Sequence, residues 1–183
     1  MRAFIAIEIP EDVRAKLAQV SENLEKSGLI YGTFVNKDNI HLTLKFLWNE
    51  IGEEDIEKIK KAFLNFKFKP FESKVKGVGF FPSDQYVKIV WAGVEGKELE
   101  ELEKNVGIIL NELKIKTSDD FEFHGHLTIA RIKEVKNKEL FQERIRQINI
   151  KPMNFNVNSI HLFKSELTSR GPIYKKLASF KFS

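Results

Sequence analysis

Two stretches of this chain nearly repeat each other, His41-Leu42-Thr43-Leu44 and His126-Leu127-Thr128-Ile129, and they hold two of its four histidines. In an extended strand alternate side chains share a face, so each copy sets an imidazole beside a hydroxyl with two aliphatic residues behind. Histidine gains or loses a proton near neutral pH. Two of them facing one cleft can supply a base for an attacking oxygen and an acid for a departing one, which is what phosphodiester chemistry requires. A threonine hydroxyl two residues along can donate a hydrogen bond to a non-bridging phosphate oxygen. No metal and no covalent intermediate is then needed. For either threonine alone, strand propensity is an equal explanation. A single His-x-Thr in an apolar strand is more often structural than catalytic, and it is the recurrence that favours a site. The copies stand a little under half of the 183 residues apart. Duplicated lobes would give that spacing, with one His-Thr pair on each wall of a cleft between them.

The flanking sequence supplies elements to position them. Arg2–Ile9 alternates as a strand, and Glu11–Lys26 places Val13, Leu17, Val20 and Leu24 at helical spacing behind Pro10. Ile40–Leu47 is the first His-Thr strand, and Glu53–Phe66 a second helix with Ile56, Ile59, Phe63 and Phe66 on one face. Phe71–Phe80 and Tyr86–Gly93 read as a hairpin through Phe81-Pro82-Ser83-Asp84. Lys97–Leu113 is a helix buried through Leu99, Leu102, Val106, Ile109 and Leu113, and Phe121–Ile132 carries the second His-Thr strand after a turn at Ser118-Asp119-Asp120. Lys138–Ile148 is helical, and Phe155–Phe163 and Tyr174–Phe180 close the chain as strands. Strand, helix, strand is thus used twice. The expected fold is α+β and bilobal: pseudo-twofold duplicated lobes, antiparallel sheets lining a central cleft, helices outside. With no linker in view, residues 1–183 read as one domain of two intimately packed lobes.

Composition narrows the classes. Hydrophobic residues make up 42% of the chain, ample for a core, which excludes a disordered chain. No apolar run approaches the roughly 20 residues that span a bilayer. Met1–Pro10 is too short and too alternating for a signal peptide, so the chain reads as soluble and cytoplasmic. Without cysteine there is no disulfide and no thiol catalysis, and a zinc site would need histidine and carboxylates alone. The net charge of +4, from 30 Lys+Arg against 26 Asp+Glu, suits a phosphate-bearing ligand without implying a long nucleic-acid track. Abundant charge, no Cys and two Met resemble thermophile composition.

Beyond the two tetrapeptides, the start Arg2-Ala3-Phe4-Ile5-Ala6, the run Asn39–Leu47, the run His126–Arg131, Phe163-Lys164-Ser165-Glu166-Leu167 and Gly171-Pro172-Ile173-Tyr174 resemble the two-histidine (2H) phosphoesterase superfamily. Within it, the chain is similar to the RNA 2′,3′-cyclic phosphodiesterases, also known as the 2′-5′ RNA ligase-like family. The resemblance covers nearly the whole chain. Trp48 stands where the family usually has Gly, and Gly125 where it usually has Pro. The resemblance implies opening of a 2′,3′-cyclic phosphate at an RNA end to a 2′-phosphomonoester, with no cofactor and no metal. His41 would protonate the leaving 3′ oxygen, His126 would activate water, and Thr43 and Thr128 would hold the phosphate. The same site, with an RNA 5′-hydroxyl in place of water, would make a 2′-5′ linkage. RNA ends bearing cyclic phosphate, tRNA fragments among them, and nucleotides are the implied partners, and the expected state is a monomer.

Other residues have competing readings. Arg131 is a phosphate-binding candidate by resemblance, yet its strand parity is opposite to that of His126 unless a bulge re-aims it. Lys45 shares parity with His41, and a solvated edge lysine explains it equally. His124 and His126 would form a metal pair only with further ligands that the spacing does not supply. His161 reads as structural. Phe4 and Tyr174 are either base-stacking or core residues. Two rival functions stand beside the cyclic phosphodiesterase: a 2H enzyme for another cyclic nucleotide, and a non-catalytic RNA-end or nucleotide-binding module.

Overall fold

Strand β1 (Arg2–Glu8) buries five residues in succession, Ala3 to Ile7, as a strand covered on both faces must. One of its faces, Ala3, Ile5 and Ile7, joins the main apolar core beneath the helices. The other, Phe4 and Ala6, packs with Phe163 and Tyr174 on the side where the histidines lie. The computed structural model describes residues 1–48, 50–83, 86–118, 122–168 and 171–183.

Helix α1 (Glu11–Lys26) follows, with Pro10 at its cap and Glu11 and Asp12 in a first turn whose dipole favours acidic groups. Then come β2 (Ile30–Phe34), a 3-10 turn at Lys37–Asn39 capped by the Asn36 side chain, β3 (His41–Phe46) and α2 (Glu53–Phe63). The chain continues through β4 (Phe71–Pro82), β5 (Val87–Glu95), α3 (Leu99–Glu112), β6 (His126–Val135), α4 (Lys138–Gln147), β7 (Met153–Val157), β8 (Ser159–Thr168) and β9 (Gly171–Lys181). Among the described residues the strands make one antiparallel sheet in the order β7-β4-β5-β6-β3-β1-β8-β9, with β2 also paired to β6.

The α+β class and the antiparallel sheet lining a cleft agree with expectation, but the strands of both halves share one curled sheet. Its seam is the short contact of β3 with β6, where Leu42 pairs with Leu127. The helices cross this seam. α1, from the first half, packs on β2 and β6, whereas α3, from the second half, packs on β3.

Several boundaries move for physical reasons. The second His-Thr strand begins at His126 and not near 121, because residues 122–125 are irregular; Phe121, Asp119 and Asp120 lie outside the described residues. β4 runs on through Pro82, so the turn falls at Ser83–Tyr86, of which Asp84 and Gln85 lie outside the described residues. The run 155–163 divides at Asn158 into β7 and β8, which pair with different neighbours. In α1 the third buried position is Ser21 rather than Val20, and its hydroxyl donates to the Ile129 carbonyl at 3.4 Å.

Candidate active site

Antiparallel pairing at Leu42 and Leu127 sets His41 beside Thr128 and Thr43 beside His126, with roughly 5 Å between opposed β-carbons. The two His-Thr pairs therefore lie side by side on neighbouring strands of the cleft floor, not on opposite walls. Leu42 and Leu127 between them are fully buried on the core face, which fixes the register: a one-residue slip would turn both histidines inward. All four polar residues line one cavity of about 760 Å³, together with Asn39, Phe46, Phe81, Lys88, His124, Arg131 and Tyr174.

Both imidazoles are held the same way. His41 Nδ1 lies 2.7 Å from the Asn39 carbonyl, and His126 Nδ1 lies 2.6 Å from the His124 carbonyl. A carbonyl only accepts, so Nδ1 carries the proton and Nε2 is left as the reactive nitrogen. Aromatic rings brace each imidazole. Phe4 stacks on His41 with centroids 4.8 Å apart, and Tyr174 meets it edge-on at 5.1 Å. Phe81 stands perpendicular to His126 at 5.2 Å, with Trp91 behind at 6.5 Å. Asn39 also donates to the Pro172 carbonyl at 2.8 Å, tying the turn before β3 to the strand that carries Tyr174.

His41 is pushed down to about 4, by burial above all and also by the positive charge of Arg131 and repulsion from a charged His126, against the opposing pull of the Asn39 carbonyl. His126 is lowered as well, by burial first and then by His124 and Arg131, opposed by its own carbonyl partner. Without an anion in the cleft both rings are neutral at pH 7. A phosphate between them supplies the negative charge that favours an imidazolium. Burial raises Tyr174, which stays a phenol and a hydrogen-bond donor.

The bulge that Arg131 needed is present. Along the β5–β6 ladder Val90 pairs with Ala130 and Trp91 with Thr128, so β6 carries one extra residue at Ile129. Ile129 and Ala130 are both buried, the parity flips, and Arg131 joins the face of His126 and Thr128. The freed Ile129 carbonyl accepts from Val35 N at 2.9 Å and from Ser21. β3 carries the matching bulge, since Ile5 pairs with Lys45 but Ala6 with Thr43. Lys45 is thereby turned away from the cleft into the core face, contrary to both readings offered for it. Its ammonium meets Glu103 of α3 at 2.6 Å, and its stem passes over Gly107, where a β-carbon would stand 3.1 Å from Cε. Phe46, in the position equivalent to Arg131, enters the cleft instead.

The remaining candidates separate. His124 lines the cleft and touches Phe81 and Trp91, and no group of three or more His, Cys, Asp or Glu suited to a metal occurs among the described residues. His161 is buried outside the cleft against Ser159, Ser179 and Glu8, a structural setting. Phe4 is core and supports His41, whereas Tyr174 lines the cleft. Of the two unusual residues, Gly125 is needed for close approach, since a β-carbon there would fall 2.7 Å from the Val94 carbonyl. Trp48 bonds Lys116 away from the cleft. Sequence reasoning missed the carbonyls of Asn39 and His124, and it missed Phe46, Phe81 and Lys88. The carbonyl pair had a signal, for each lies two residues before its histidine.

The LigT-like phosphoesterase family model matches residues 7–91 and 93–174, and one His-x-Thr copy falls in each segment. A Methanocaldococcus jannaschii protein named RNA 2′,3′-cyclic phosphodiesterase is 36% identical over 177 residues, covering 96% of this chain and 97% of its own. An Archaeoglobus fulgidus protein of the same name is 34% identical over 183 residues, covering 99% and 100%. Among solved structures, TT0787 of Thermus thermophilus superposes with a TM-score of 0.81 at 26% identity, over 100% of this chain and 98% of that one. E. coli LigT complexed with 3′-AMP gives a TM-score of 0.75 over 100% and 98% at 19% identity, a likeness of fold. Fold and site define an α+β phosphoesterase built on a repeated His-x-Thr motif. The chain belongs to the LigT-like phosphoesterase family.

Proposed function

We propose that this chain is an RNA 2′,3′-cyclic phosphodiesterase that leaves a 2′-phosphomonoester, without a metal. The observation that carries the reading is the pair of neighbouring imidazoles, each with Nδ1 tied to a carbonyl and Nε2 left to react. His126 takes a proton from water as its oxygen bonds to phosphorus. The bond from phosphorus to the 3′ oxygen breaks, and His41 protonates that oxygen. Thr43, Thr128 and Arg131 hold the non-bridging oxygens, where charge builds in the transition state. The bound anion restores to His41 the proton affinity that burial removes, so the acid is charged when substrate is present.

The same steps, with an RNA 5′-hydroxyl in the place of water, form a 2′-5′ linkage: its oxygen bonds to phosphorus, His126 takes its proton, and the bond to the 3′ oxygen breaks as before. The relatives' full-length identity supports RNA ends bearing a cyclic phosphate as the substrate class; tRNA fragments and nucleotides as ligands, and a monomer as the acting state, belong to the same proposal. Among the described residues no helix is long and apolar enough to cross a membrane. The test is hydrolysis of an RNA ending in a 2′,3′-cyclic phosphate with excess chelator present. Turnover to a 2′-phosphate end is expected, and loss of turnover that one divalent ion restores would contradict the metal-free mechanism.

A further inference from the structure

Beyond Arg131, the face of β6 leads out of the cleft onto a surface that a cyclic phosphate alone does not need. Thr33 of β2 pairs with Arg131 and lines the cleft. Two residues along on the same face, Tyr31 is 58% exposed, with Lys133 of β6 over its ring at 5.5 Å. On the other flank of β6, Lys88 lines the cleft and sits 4.4 Å over the ring of Tyr86, which is 60% exposed. The chain has three tyrosines: Tyr174 lines the cleft, and the other two stand on this rim, each beside a lysine. Exposed rings with cations beside them, continuous with a phosphate site, are what single-stranded nucleic acid uses: bases stack on the rings and phosphates meet the cations.

We propose that Tyr31, Lys133, Tyr86 and Lys88 form a track for the RNA chain on the 5′ side of the cyclic end, so that the preferred substrate is an oligonucleotide and not a mononucleotide. The proposal rests on the phosphodiesterase reading above. From Thr128 to Lys133 the strand runs roughly 15 Å, longer than the terminal nucleotide. The tyrosine faces are sequence-tolerant, because every base has a π face to stack. The track therefore selects a strand with a cyclic end and not a particular sequence.

The test compares kcat/KM for cytidine 2′,3′-cyclic phosphate with that for a tetranucleotide ending in the same group, in the wild type and in Tyr31→Ala, Tyr86→Ala and Lys133→Ala. The wild type prefers the tetranucleotide, and each tyrosine variant lowers only the tetranucleotide value, by about tenfold. In Lys133→Ala the log-log salt dependence for the tetranucleotide becomes shallower by about 0.7, the share of one phosphate contact on a single strand. Equal wild-type efficiency on both substrates overturns the track, and so do variants that lower both alike or neither. If neither substrate turns over, the phosphodiesterase reading fails. The track is then judged by anisotropy of a fluorescent tetranucleotide bearing a 2′-phosphate, where binding weakened by Tyr31→Ala upholds it and unchanged binding overturns it.

Discussion

At the scale of single residues, the site consists of two imidazoles whose environments lower their proton affinity before substrate arrives. Replacing either His41 or His126 by Ala should lower turnover about 10²–10⁴-fold, the usual share of general acid or base catalysis. Both variants should stay folded, because each ring faces a cavity and not the core; steady-state rates beside circular dichroism melts check both parts. The pH dependence follows from the direction of the shifts. kcat/KM reports free enzyme, where one ring must be charged and the other neutral. With both lowered from 6.5, its maximum falls on the acidic side of that value. Bound phosphate favours the imidazolium, so the maximum in kcat moves to higher pH. A kcat/KM profile that peaks above pH 7 would contradict these environments.

At the scale of elements, the paired bulges decide which side chains reach the cleft, and Lys45 with Glu103 holds the one in β3. Glu103→Gln should destabilise the protein, since it removes the carboxylate facing a nearly buried ammonium. A loss of about 2 kcal/mol is expected, below the range for fully buried pairs. For a chain of this size that lowers Tm by about 4–8 °C. Activity should fall as well, because Thr43 and Phe46 lie on either side of the bulge. A Lys45→Met, Glu103→Leu double variant should recover most of the Tm, as apolar replacements of buried pairs do. An unchanged melting curve for Glu103→Gln would show that the pair holds nothing. These bulges also mark where sequence reading stopped. Period-2 alternation brought His41, Thr43, His126 and Thr128 to one face correctly, because all four precede the extra residue. It then put Lys45 on the wrong face and left Arg131 unresolved, since an extra residue leaves no mark on the pattern. Helix α1 was legible end to end from Val13, Leu17 and Leu24. β2 was not, being five residues interrupted by a glycine.

At the scale of the whole molecule, the two halves are interlocked. α1 backs the second histidine strand and α3 the first, so neither half buries its own motif. A single cooperative unfolding transition is expected, with calorimetric and van't Hoff enthalpies equal; two separable transitions would show independent halves. Stability should also depend on pH. The folded values of His41, His126 and His161 all lie below 6.5, so the unfolded chain binds more protons in acid. Tm therefore falls as pH drops from about 6.5 toward about 4, where His41 itself titrates, and His41→Gln should flatten part of that slope. The near symmetry of the motif strands leaves the division of labour between the histidines as the point on which the account turns. It is tested most directly with a substrate whose leaving 3′ oxygen is replaced by sulfur, because a thiolate departs without a proton. The 3′-thio cyclic phosphate should restore much of the rate lost in His41→Ala and leave His126→Ala impaired. Rescue of His126→Ala alone would exchange the acid and the base, and rescue of neither would contradict two-histidine catalysis.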